Sequence, residues 1–172
     1  ELRALDMDSN TVVVLWSDNS WRLGEHGMFS KPAATENPSR ITLMIKAPGF
    51  PGKGPTPALA ELVDIYPTLA ELCHLPLPGY LEGASLAPLL TDPKRPWKTA
   101  AFSCVGPEAI SIRTDRYRLI KSTGGEIELY DYQTDPDECH NLARDPAHAE
   151  ILKELQAALK AGWRAARPPP SA

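Results

Sequence analysis

The chain has 172 residues, 42% hydrophobic and 23% charged, a balance that excludes disordered and fibrous classes and gives a globule of this size a real core. Lysine and arginine number 18 against 22 aspartates and glutamates, a formal net charge of -4, so there is no electrostatic footprint for nucleic acid or an anionic membrane surface. No apolar run approaches the roughly 18 residues of a membrane-spanning helix, and the 11 glycines and 18 prolines predict fixed turns and long connections instead of a helical bundle.

The chain opens on Glu1-Leu2-Arg3-Ala4-Leu5. With no basic n-region or apolar h-region, this reads as the tail of a helix already under way, and the expectation is a piece of a longer protein. Thr11–Trp16 is a continuous apolar, β-branched run. Such a run predicts a strand covered on both faces, as in the parallel sheet of an α/β protein. It ends in the turn-forming cluster Ser17-Asp18-Asn19-Ser20. Ile41–Ile45 predicts a second strand, and the Pro- and Gly-rich stretch from Pro48 to Pro57 predicts a loop. Glu61-Leu62-Val63 reads as a short strand, with Asp64 as the N-cap of a helix carrying Pro67 in its first turn. Pro76 to Pro96 reads mostly as loop.

The character changes after Lys98. Ala101–Val105, Ile110–Thr114, Tyr117–Lys121 and Glu128–Tyr132 alternate and are separated by turns, which predicts an antiparallel meander. Asp145-Pro146 predicts a helix start. Ile151, Leu155, Leu159 and Trp163 recur every four residues, as on one amphipathic helix packed against a sheet. The expected division is residues 1–97, part of an α/β catalytic domain, and 98–172, a small antiparallel β subdomain with a terminal helix.

In open α/β sheets ligands gather beyond the carboxyl ends of the strands, which is where Asp18 and Asn19 stand. A carboxylate beside an amide oxygen suits a hard cation, Ca²⁺ or Mg²⁺; two such groups also serve simply as an Asx turn. Lys31, thirteen positions on, can meet an anionic ester oxygen as a point charge or lie solvated on the surface. The three cysteines, Cys73, Cys104 and Cys139, form no C-x-x-C pair and read as buried or half-buried thiols. His74, His140 and His148 are assigned to structure. Asp131, Asp135 and Asp137 lack the glycine and terminal glutamate of an EF-hand and read as a solvated turn.

Ser17-Asp18-Asn19-Ser20-Trp21-Arg22-Leu23-Gly24-Glu25-His26-Gly27-Met28-Phe29-Ser30-Lys31 resembles the sulfatase pattern S-D-H/N-G-x-x-L-G-E-H-G-x-W/F-x-K. The register continues through Glu36, Arg40, Ile41, Leu43 and Ala47-Pro48-Gly49, similar to E-x-A-x-R-V-P-L-x-x-x-x-P-G. Leu62 to Leu69 resembles L-V-D-I-F/Y-P-T-L. Leu129 to Glu138 with Asn141-Leu142 resembles the closing L-Y-D-L-x-x-D-P-x-E-x-x-N-L. By this resemblance the chain is the C-terminal part of a sulfatase of the alkaline-phosphatase-like superfamily, nearest the iduronate-2-sulfatase-like branch.

The resemblance implies metal-assisted hydrolysis of a sulfate ester, carried by a sugar such as iduronate 2-sulfate or by another alkyl group. It implies Asp18 and Asn19 as two ligands of a Ca²⁺ ion, with Mg²⁺ the lesser alternative, and Lys31 as a contact to sulfate oxygens. The family's nucleophile is a formylglycine made from the Cys or Ser of C/S-x-P-x-R. None of the three cysteines begins that motif, so no catalytic nucleophile is expected in this chain, and the modified residue is expected upstream. Glu36-Asn37-Pro38-Ser39-Arg40 carries x-P-S-R with glutamate in the nucleophile's place, and is read as coincidence. Asn19, Ser20 and Thr42 stand where the branch often has His, Gly and Pro. The alternatives are a phosphatase or phosphonate hydrolase of the same superfamily, and a truncated, non-catalytic binding module.

Overall fold

The computed structural model describes residues 1–31 and 34–168. In chain order its elements are β1 (Val13–Trp16), α1 (Glu36–Ser39), β2 (Leu43–Lys46), α2 (Ile65–Leu72), α3 (Ala87–Thr91), β3 (Ala101–Val105), β4 (Ala109–Arg113), β5 (Tyr117–Ser122), β6 (Ile127–Asp131) and α4 (Ala149–Ala161), joined by 3₁₀ turns and loops. The architecture is α/β, as expected. Two compact units divide the chain, one built from Glu1–Ser17 and Thr42–Trp97, the other from Asp18–Ile41 and Lys98–Arg167. Residues 18–41, which the reading by chain order groups with the first 97, therefore belong with the β3–β6 unit.

In the first unit β1 pairs with β2, with Val14 opposite Ile45 and Leu15 opposite Met44. The pairing is antiparallel, not parallel. Nor is the strand covered on both faces: Val13, Leu15, Trp16 and Met44 are all exposed. A continuous apolar run speaks for apolar surroundings and says nothing about the direction of the partner strand, so the sequence left that choice undetermined. Glu61-Leu62-Val63 is not a strand either. Leu62–Asp64 is a 3₁₀ turn capped by Glu61 in a reciprocal capping box, with the Glu61 N–H donating to Asp64 Oδ2 at 2.9 Å. Both partners of such a box satisfy backbone donors left over at the helix start.

Asp64 and Thr68 are fully buried, and together they tie α2 to the loop ahead of α3. Asp64 Oδ1 accepts the Ala84 N–H at 2.8 Å. The Thr68 hydroxyl accepts the Leu86 N–H at 2.7 Å and donates to the Asp64 carbonyl at 2.5 Å. Gly83 completes this strap: a Cβ there would stand 2.0 Å from the Val63 carbonyl oxygen. The V-D-I-Y-P-T-L stretch is thus a fastening in which Asp64 serves as an acceptor. The 76–96 stretch is mostly loop as expected, but it contains α3, whose start holds Pro88 at a position that needs no N–H.

In the second unit β3–β6 form the expected meander in the order β3-β4-β5-β6. Phe102, Ile112, Leu119 and Leu129 lie opposite one another across the four strands. They make one face of the sheet and pack with Leu155, Ile151, Leu152 and Leu159 of α4; Trp163, the last residue of the predicted spacing, lies past the end of α4 in a 3₁₀ turn. Asp145 starts this helical segment by accepting the Ala147 N–H at 2.9 Å, and Gly162, at φ 79, ends α4 just before Trp163. The opposite face carries Ser111, Arg118, Ile120 and Tyr130, and Ala34 packs there with Ile120 and Tyr130. The sheet is therefore covered on one face by α4 and on the other by the segment entering α1.

Two further sequence expectations fail. Cys73, Cys104 and Cys139 are free and exposed; two of them lie at a helix end and in a loop, and Cys104 points outward from β3. Asp131 and Asp135 are buried. Asp131 accepts a forked pair of bonds from Arg116 at 2.8 and 2.6 Å, while Asp135 accepts the N–H groups of Cys139 and His140 at 3.0 and 2.8 Å. Arg116 and the turn's own N–H groups replace water, so of these three aspartates only Asp137 is solvated.

Candidate functional site

Residues 18–31 form a loop folded back on itself. Arg22 N–H donates to the Ser30 carbonyl and Gly24 N–H to the Met28 carbonyl, both at 3.1 Å, which makes a short hairpin with Gly24-Glu25-His26-Gly27 at its tip. The tip needs left-handed backbone at Gly24 (φ 132), His26 (φ 54) and Gly27 (φ 68), so two of these three places go to the residue without a Cβ. Glu25 folds inward to accept the Leu23 N–H at 2.6 Å. Its own backbone N–H and that of Leu23 hold its carboxyl below the usual range.

The fold-back brings the two ends of the loop together. The Lys31 ammonium stands 3.9 Å from Asp18 Oδ2, with both side chains more than half exposed. Asn19 Nδ2 donates to the same Asp18 oxygen at 3.0 Å. The three residues singled out in the sequence thus share one small polar cluster. Its donor set, a carboxylate and an amide oxygen beside an ammonium, suits a hard divalent cation and an oxyanion held side by side. Among the described residues there is no group of three or more His, Cys, Asp or Glu able to hold a metal ion. A cation at Asp18 and Asn19 would need further oxygens from outside this pair.

α1 braces the Asp18–Asn19 arm of the loop. The Pro38 carbonyl accepts the Ser20 N–H at 3.1 Å, next to Asn19 in sequence. At its other end, Glu36 docks on the sheet. The Glu36 N–H donates to Glu138 Oε2 at 2.7 Å, and its carboxylate accepts Arg118 Nη2 at 2.5 Å and Arg113 Nε at 3.4 Å. Arg118, 3% exposed at its side chain, also meets Glu138 Oε1 at 3.1 Å and donates to the Ala34 carbonyl at 2.8 Å and Ser111 Oγ at 3.1 Å. Tyr132 OH accepts Arg118 Nε at 2.7 Å and donates to Glu138, while Arg113 lies 3.8 Å over the Tyr132 ring. Burial alone would raise the Glu36 carboxyl; Arg118, Arg113 and Arg40 reverse that and hold it below its ordinary value.

Sequence reasoning found the loop and missed this support. Glu36 and Glu138 are letters of the matching motifs with no role attached. Arg118 sits on an alternating strand, where a charge reads as solvent-facing. The 36–40 stretch, read as a coincidental x-P-S-R, is the docked helix itself.

Residues 24–164 match the family described as N-sulphoglucosamine sulphohydrolase, C-terminal. A protein named sulfatase from Formosa agariphila is 35% identical over 159 residues, covering 91% of this chain and 31% of that protein. A protein solved in complex with its substrate, D-glucosamine-2-N,6-O-disulfate, shares the fold at a TM-score of 0.81 and 28% identity, over 95% of this chain and 36% of the other. A phosphonate monoester hydrolase from Silicibacter pomeroyi has a TM-score of 0.86 at 23% identity, covering 97% and 37%, a likeness of fold alone. The chain spans about a third of the length of these proteins. On the match of 24–164, reinforced by the sulfatase relative, the chain belongs to the sulfatases, in the family of the N-sulphoglucosamine sulphohydrolase C-terminal domain.

Proposed function

We propose that this chain is the C-terminal part of a sulfatase that hydrolyses the sulfate ester of a saccharide, such as iduronate 2-sulfate or a sulfated glucosamine, and that Asp18, Asn19 and Lys31 are its contribution to the active site. The observation that carries this is the meeting of Lys31 with Asp18, thirteen positions away, at 3.9 Å with Asn19 on the same oxygen. Family membership and the sulfated sugar bound to a structural relative support the substrate class.

In this reading Asp18 and Asn19 offer two oxygens to a Ca²⁺ ion. Bound there, the ion supplies Lewis-acid polarisation of a sulfate oxygen. Asp18 has a second task, since its carboxylate orients the Lys31 ammonium. Lys31 then places a fixed positive charge where negative charge grows on the sulfate oxygens as the ester bond breaks, and charge fixed in advance requires no reorganisation during the reaction. The formylglycine nucleophile is supplied from upstream of these residues.

The test uses the intact gene product. Metal content by mass spectrometry and release of sulfate from D-glucosamine-2-N,6-O-disulfate and 4-nitrocatechol sulfate are compared for wild type, Asp18→Ala, Asn19→Ala and Lys31→Ala. Loss of calcium in the first two, and loss of sulfate release with calcium retained in the third, is the expected pattern. Calcium retained in both Asp18→Ala and Asn19→Ala refutes the ligand assignment. Faster turnover of a phosphonate monoester than of both sulfate esters moves the function to phosphonate hydrolysis.

A further inference from the structure

We infer that Arg118, acting with Glu36, is a positioning residue for Lys31 and for the Asp18–Asn19 arm, and that it sets the affinity of the site for a sulfate group without touching it. The inference rests on the proposed role of Lys31.

The geometry runs from the sheet to the site in two contacts. Arg118 holds the Ala34 carbonyl at 2.8 Å and the Glu36 carboxylate at 2.5 Å, three and five residues beyond Lys31. Glu36 begins α1, and α1 accepts the Ser20 N–H through Pro38, one residue beyond Asn19. The Asp18–Asn19 arm therefore hangs from a four-residue helix that Arg118, Arg113 and Glu138 fix to the sheet and to the 132–138 turn, and Arg118 also holds the Ala34 carbonyl three residues beyond Lys31. A helix this short has no stability of its own, so its place is set by what it docks against.

The chemistry of the cluster fits a positioning role better than a stabilising one. Arg118 lies between two carboxylates, Glu36 and Glu138, in a site almost closed to water, with side chains 3%, 18% and 2% exposed. Removing such groups from water costs much of what their attraction returns, and apolar residues of similar volume often pack as stably. An apolar side chain, however, cannot hold a carbonyl and two carboxylates at fixed angles. The planar guanidinium fork can, and an ammonium on a flexible stem cannot. Glu138 adopts a left-handed backbone, φ 55, and still points its carboxylate at both Arg118 and the Glu36 N–H. Four separated stretches of chain are thereby brought to one point.

The test measures binding of inorganic sulfate to the intact gene product by isothermal titration calorimetry, with thermal unfolding recorded for every variant. Lys31→Ala is expected to weaken sulfate binding about tenfold or more, the range for loss of one charged hydrogen bond. Arg118→Lys keeps the charge and loses the fork. Glu36→Gln keeps the shape and loses the charge, and serves if Arg118→Lys does not fold. Each is expected to weaken binding about fivefold in the wild-type background and less than about twofold in the Lys31→Ala background, since coupled sites depart from additivity by such factors. The same weakening in both backgrounds would show a merely structural role and overturn the inference, as would unchanged binding in both variants. Unchanged binding in Lys31→Ala alone would instead overturn the role of Lys31, and the two failures are told apart by that one variant.

Discussion

Replacing Thr68 by valine isolates one buried hydroxyl with almost no change of volume. In the wild type that hydroxyl, fully buried, accepts the Leu86 N–H at 2.7 Å and donates to the Asp64 carbonyl at 2.5 Å. Valine fills the space and offers no acceptor, so the Leu86 N–H is left buried without a partner. A donor stranded this way costs about 1–3 kcal/mol; the Asp64 carbonyl, at the start of α2, loses less. Taking roughly 2 kcal/mol at 1.36 kcal/mol per decade, the Leu86 amide should exchange with deuterium about thirtyfold faster in Thr68→Val. Thr68→Ser restores the hydroxyl and should return most of the protection, at some loss of packing. Exchange followed by mass spectrometry on peptides spanning 83–90 in the intact gene product reads the effect at its source. Exchange within threefold of wild type in Thr68→Val, or equal acceleration in Thr68→Ser, would refute the view that this hydroxyl fastens the loop to α2.

Leu129, with no exposed surface in the core between the sheet and α4, predicts a loss of roughly 3 kcal/mol in Leu129→Ala, seen as about a hundredfold faster exchange of the most protected β4–β6 amides. Asp131 is held below its ordinary value of 3.8, first by its hydrogen bonds to Arg116 and also by the Gln133 N–H, against the opposing effect of burial. Its stabilisation is therefore complete above about pH 4 and disappears as pH falls through the lower folded value. Thermal unfolding of wild type and Asp131→Asn should differ most at neutral pH and converge below pH 3.8; a constant difference from pH 7 to pH 2 would contradict the assignment. The 172-residue chain expressed alone should release no sulfate from 4-nitrocatechol sulfate above a heat-killed control, because none of its cysteines begins C-x-P-x-R; measurable turnover would place a nucleophile within these residues.

Legibility followed the range of the interactions involved. The β3–β6 meander and α4 could be read because alternation and four-residue spacing are local properties, and Phe102, Ile112, Leu119 and Leu129 show them plainly. The loop from Asp18 to Lys31 was found through its motif, which does not say how the backbone returns Lys31 to Asp18. What could not be read depends on partners far along the chain. Arg118 meets Glu36 across 82 positions, and nothing near either residue announces the other. Asp131 and Asp135 look solvated among their neighbours, but Arg116 and turn N–H groups reach them only in the folded chain. The apolar β1 run foretold a strand but not the antiparallel partner it takes.

Gly79 and Gly83 lie four positions apart in one proline-rich loop and look interchangeable on paper. A Cβ at position 79 meets nothing within 4 Å, while one at position 83 collides with the Val63 backbone. Saturation libraries across this stretch should accordingly return almost any small or polar residue at the first site and reject even alanine at the second. The tolerance of a loop to change is then decided residue by residue, by whether another main chain has already taken the space, and Gly83 marks a spot where two backbone segments have settled against each other with no room for a side chain between them.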